Sequence, residues 1–67
     1  MNWHYGDPIA NGQYLCCVKS YNSPFVLDWH DREWGHWNGK WYPLDDITTG
    51  SVVCYIGFDE IPMPENW

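Results

Sequence analysis

At 67 residues the chain has room for one domain, 1–67, and a domain this size buries only about 60% of the surface its unfolded chain exposes, which leaves a marginal core. Nine acidic residues against three Lys and Arg give a formal charge of -6. That balance excludes the basic footprint of a nucleic-acid binder and disfavours an anionic membrane surface.

Six Trp, five Tyr and two Phe make 19% of the residues aromatic. Large rings are one way for so short a chain to build a core, because each buries on the order of 150–250 Å². They are equally the residue types that serve as anchors at interfaces, so the composition alone leaves both uses open.

Turn signals recur at roughly the eight-to-twelve-residue spacing of an all-β domain, and no helical period is sustained. The expected fold is a small antiparallel β-meander of about five strands, neighbours in sequence pairing in space, with an extended Pro-containing C-terminal tail. The first strand lies within Gly12–Ser20, after the turn-forming "DPIANG". The second is "FVLDWH", Phe25–His30, where Phe25, Leu27 and Trp29 alternate with Val26, Asp28 and His30; the first set is expected inward.

"DREWGHWNGKWY", Asp31 to Tyr42, carries the densest run of rings. Asn38-Gly39 predicts a two-residue type I′ hairpin, both of whose central residues need positive φ. That turn sets Trp37 opposite Lys40, His36 opposite Trp41, Gly35 opposite Tyr42 and Trp34 opposite Pro43. Trp34 and Trp41 then share the core side, while Trp37 and Tyr42 flank Lys40 on the outer side. "PLDDITTGS" reads as a loop and "VVCYI", Val52–Ile56, as the last strand. Pro62 and Pro64 keep the tail out of a central strand. Ile61, Met63 and Trp67 are expected to lie along one face of the sheet.

Trp3, "DPIANGQYLCCV", "NGKWY" and "IPMP" together resemble a short phage and prophage family, the domain of unknown function numbered five-five-one. Its members open on a Trp, pass a Pro and a Gly into a hydrophobic strand, form a Trp-containing hairpin and close on a Pro-x-Pro tail. The resemblance implies a small β domain in a mobile-element setting and brings no catalytic residues. Two departures stand out: "VVCYIGFDEIPMP" lacks the His-Trp of the family, and "DREWGH" lengthens the middle.

Cys16, Cys17 and Cys54 form no Cys-x-x-Cys and read as small buried hydrophobes. No secretory leader and no apolar span of roughly 20 residues is visible, so a cytoplasmic chain is expected, in the host cell if phage-encoded. His4, His30 and His36 match no metal-site spacing. Cys16 or Cys17 with His30 is the one conceivable nucleophile pair. No catalytic residue, metal or cofactor is therefore expected.

Two functions remain. One is a non-catalytic interaction protein that binds, and through that inhibits, a host protein. Its contact residues would be Trp37, Tyr42 and Lys40, with Asp45, Asp46, Asp59 and Glu60 as steering acids. The other is a small-ligand-binding, sequestering domain with an aromatic pocket, open to self-association as a homo-oligomer. A flat exposed patch points to the first and a concave aromatic pocket to the second.

Overall fold

The computed structural model describes residues 2–64. Five antiparallel strands form one open sheet: β1 (Gly12–Val18), β2 (Phe25–His30), β3 (Glu33–Trp37), β4 (Trp41–Pro43) and β5 (Val52–Gly57), in the order β4-β3-β2-β1-β5. The all-β class and the five strands are as expected. The first four strands form a meander; β5 departs from neighbour pairing by returning past three strands to lie beside β1.

That return covers the core. Pro43 leads into a one-turn helix, α1 (Leu44–Ile47), where a plain loop was expected; Asp45 and Asp46 in its first turn suit the positive end of the helix dipole. Leu44 packs on the central cluster of Cys16, Val18, Leu27 and Tyr55, joined by Tyr14, Phe25, Trp34 and Val52. The connection then passes against the end of β1 at Gly50, where an added Cβ would collide with the Lys19 carbonyl and Val18. The Lys19 N–H closes the junction by donating to the Ser51 carbonyl (2.9 Å).

Alternation along β2 holds: Leu27 and Trp29 are buried, Phe25 is half-buried, and Val26 and His30 are exposed. Cross-strand partners share a face, so Trp29 opposite Trp34, Tyr14 opposite Leu27 and Cys16 opposite Tyr55 assemble the core side. Trp34 sits at its aromatic centre, 5.0 Å from Trp29, 5.6 Å from Tyr55 and 5.8 Å from Tyr14 between ring centroids.

The hairpin register is shifted by one residue from the expected pairing. Trp37 opposes Trp41, His36 opposes Tyr42 and Gly35 opposes Pro43, which leaves a three-residue loop of Asn38, Gly39 and Lys40. The cause is conformational: Gly39 has φ +96°, but Asn38 is not among the positive-φ residues, so a type I′ turn cannot form there. The two-residue turn with both φ positive is instead Asp31-Arg32 (φ 50° and 66°), between His30 and Glu33. Because side chains alternate, the shift moves Trp41 off the core side and separates Trp37 from Tyr42.

Past β5 the chain makes a 3-10 turn, Phe58–Glu60, that packs against β1. Ile61 is half-buried and Met63 is 57% exposed; Trp67 lies outside the described residues.

Candidate functional site

Opposite the core, the β2–β4 part of the sheet presents a second face. Gln13, Asp28 and Gly35 are successive cross-strand partners and lie in one row on this face. Gly35 is buried and has no side chain; an added Cβ would stand 2.5 Å from the Trp41 ring and from the Tyr42 carbonyl oxygen. The Trp41 indole therefore lies down over the β3 backbone. Its Nε1–H donates to Glu33 Oε1, and the His30 ring stands 5.9 Å from it.

Trp37 completes the arrangement. Its backbone N–H donates to Asp28 Oδ2 (2.9 Å), which ties the end of β3 to β2, while the residue itself is 60% exposed. His36 Nδ1 approaches the same oxygen at 3.7 Å. Between these groups and the start of β1 runs a half-open groove of about 500 Å³, bordered by Gln13, Asp28, His30, Trp37 and Trp41. A more polar depression of about 630 Å³ adjoins it at Asn11 and Trp29 and holds Asp7, Asp31 and Arg32.

The residues singled out from the sequence do not form one surface. Trp37 borders the groove. Tyr42 is also exposed but belongs to the opposite face, where the Lys40 ammonium sits 5.7 Å from its ring centroid. Asp45 and Asp46 are exposed on α1. Asp59 and Glu60 are on the 3-10 turn beyond β5, at the far end of the strand order from Tyr42. Glu60 is engaged: it accepts from His4 Nε2 at 2.6 Å and from the Gly57 N–H at 3.2 Å. The His4 bond, then the Gly57 bond, holds its carboxyl below the usual carboxylate range.

Trp41, Asp28, Gln13 and His30 were absent from the expected contact set. Asp28 and His30 carried a signal, since both occupy the outward positions of β2; Trp41 was hidden by the register.

The Cys16 and His30 pair conceived from the sequence is not brought together. Cys16 opposes Phe25, at the other end of β2 from His30, and faces the core; burial pushes its thiol up to about 12, so it stays protonated near neutral pH. Burial likewise raises Cys54, which is paired with Cys17. Among the described residues no three His, Cys, Asp or Glu side chains are grouped to hold a metal ion. Among the described residues no helix is long and apolar enough to cross a membrane. Comparison with family models, curated proteins and solved structures finds no match for the chain.

Proposed function

We propose that this chain is a non-catalytic binding module that engages another protein through the groove beside Trp37 and Trp41. In the phage setting that the sequence resemblance implies, the partner is a host protein and binding inhibits it. One observation carries the reading: a tryptophan left 60% exposed at the edge of a groove, in a chain whose other tryptophans on β2 and β3 are spent on the core. An exposed indole on a stretch of main chain fixed by a hydrogen bond is an anchor of the kind that dominates interface energetics.

The concavity of the groove favours the small-ligand reading as well. Its half-open form supports the protein-partner reading, because small-molecule sites enclose most of their ligand, whereas an open groove suits one side chain presented by a larger surface. Edge-to-edge self-association has less to recommend it. β4 is three residues long and ends in proline, and the outer edge of β5 exchanges hydrogen bonds between Tyr55 and His4.

The test is a photo-crosslinking amino acid placed at position 37 and, separately, at position 42, with the full chain exposed to a host lysate. A protein adduct at 37 that is competed by unlabelled wild-type chain is the expected result. Adducts at 42 only would move the surface to the Tyr42–Lys40 face. No protein adduct at either position, with a small metabolite retained by the wild type, would establish the sequestering alternative.

A further inference from the structure

Resting on that binding reading, the chemistry of the groove specifies what enters it. Its lining includes the indoles of Trp37 and Trp41, beside Trp29 and His30, and an indole carries a negative π face. Its row of cross-strand partners contributes the Asp28 carboxylate and the Gln13 amide. The Trp37 N–H and the approach of His36 both address Asp28 Oδ2; Oδ1 takes part in neither. Glu33 is bonded to Trp41, and Asp31, in the adjoining depression with Arg32, is 3.3 Å from His30 Nε2. Among the described residues no lysine or arginine borders the groove: Lys40 is drawn onto Tyr42 on the other face, and Arg32 is in the adjoining depression. The chain as a whole carries -6.

We infer that the groove reads arginine: the guanidinium of an arginine side chain on an exposed segment of the partner protein lies against the Trp37 and Trp41 indoles and pairs with the Asp28 carboxylate. Each part of the site matches a property of that group. A guanidinium is planar, weakly hydrated and stacks on aromatic faces, and its remaining N–H donors lie in the plane that reaches a carboxylate at the edge of the stack. An ammonium is compact and strongly hydrated, and gains less from flat walls. An anionic or phosphorylated ligand would meet the Asp28 carboxylate, with no lysine or arginine among the described residues bordering the groove to offset it. The open side of the groove leaves room for the backbone that carries the arginine.

The test uses the full chain labelled with nitrogen-15 and three blocked tripeptides, Gly-Arg-Gly, Gly-Lys-Gly and Gly-citrulline-Gly. Citrulline keeps the shape of arginine and removes its charge. With the arginine peptide, the indole N–H signals of Trp37 and Trp41 and the amide of Asp28 are expected to shift, with at least tenfold weaker binding of the citrulline peptide and weaker binding of the lysine peptide. Asp28→Asn retains an oxygen for the Trp37 N–H and is expected to erase the preference for arginine over citrulline. Should that variant misfold, Trp37→Ala, at an exposed position, is expected to weaken arginine binding at least tenfold with the remaining amide spectrum in place. Equal binding of arginine and citrulline peptides, shifts confined to other surfaces, or no shift at roughly 10 mM peptide would overturn the inference. The two readings separate cleanly: a protein adduct at position 37 that excess arginine peptide does not displace retains the binding module and removes the arginine specificity.

Discussion

The two faces of this sheet are built from the same residue types and covered to different degrees. On the core side, Trp29, Trp34, Tyr14 and Tyr55 meet edge-on or tilted, centroids 5.0–5.8 Å apart, beneath the returning α1–β5 connection. On the other side, Trp41 lies over Gly35 and bonds to Glu33, the Trp37 backbone is tied to Asp28, and among the described residues the groove they border is half-open. A ring is buried or left exposed according to what the connection covers, and composition is silent on that.

The largest expected effect breaks the core side. Leu27 is 1% exposed at the centre of the cluster, so Leu27→Ala should remove about 2–5 kcal/mol, a large part of the stability available to a small domain. Trp37→Ala, by contrast, should stay within about 0.5 kcal/mol of wild type, as surface changes do. Urea denaturation of both variants measures the difference. Comparable losses would mean that Trp37 belongs to a second core and that the groove is not a free surface.

Gly35→Ala attacks the seat of Trp41. The new methyl would meet both the indole and the Tyr42 carbonyl at 2.5 Å, and backbone cannot yield as a flexible side-chain end can. A cost of about 1–3 kcal/mol is expected from the overpacking. Displacement of Trp41 should appear together with it, as a changed indole N–H chemical shift. A stable Gly35→Ala protein with an unmoved Trp41 signal would contradict the placement of the ring.

A smaller effect of opposite sign is expected at the β2–β3 turn. Arg32 has φ 66°, a region costing non-glycine residues roughly 1–2 kcal/mol, and Gly enters it freely but loses more chain entropy on folding. Arg32→Gly should therefore stabilise by about 0.5 kcal/mol or less, read as a raised denaturation midpoint. Destabilisation would mean that Arg32 makes contacts worth more than its backbone strain.

That turn also shows where sequence reading ends. β2 was legible because Phe25, Leu27 and Trp29 alternate with more polar or exposed partners, and β1 and β5 because apolar runs are bounded by turn residues. The hairpin pairing was not. Asn38-Gly39 carries the stronger local preference, yet the left-handed pair is Asp31-Arg32, which has no glycine. Packing of Trp34 against Trp29, Tyr14 and Tyr55 accompanies that register and offsets the local strain, and a short-range turn rule contains no information about it. The candidate site inherited the error. Trp37 was found as an exposed ring, while its neighbour Trp41 was assigned to the core and Asp28 was passed over as an ordinary outward polar residue.

The smallest expected effect sharpens the comparison at the edge of the core side. His4 exchanges backbone hydrogen bonds with Tyr55, its ring lies 5.6 Å from the Tyr55 ring, and its Nε2 meets Glu60, clipping the N-terminal segment and the 3-10 turn to β5. The folded state lowers the pKa of Glu60, so its contribution is present above the unfolded value of about 4.3 and disappears as pH falls through the lower, folded value. Glu60→Gln should therefore lower the melting temperature slightly at neutral pH, and the gap from wild type should close on acidification below about pH 4. A gap that persists unchanged in acid would mean that Glu60 acts by shape and not by charge. Because Glu60 is at the β5 end of the strand order, the indole signals of Trp37 and Trp41 should not respond to the substitution at any pH where the chain is folded. A response there would show that the groove is coupled to the clip and that the two faces are not independent.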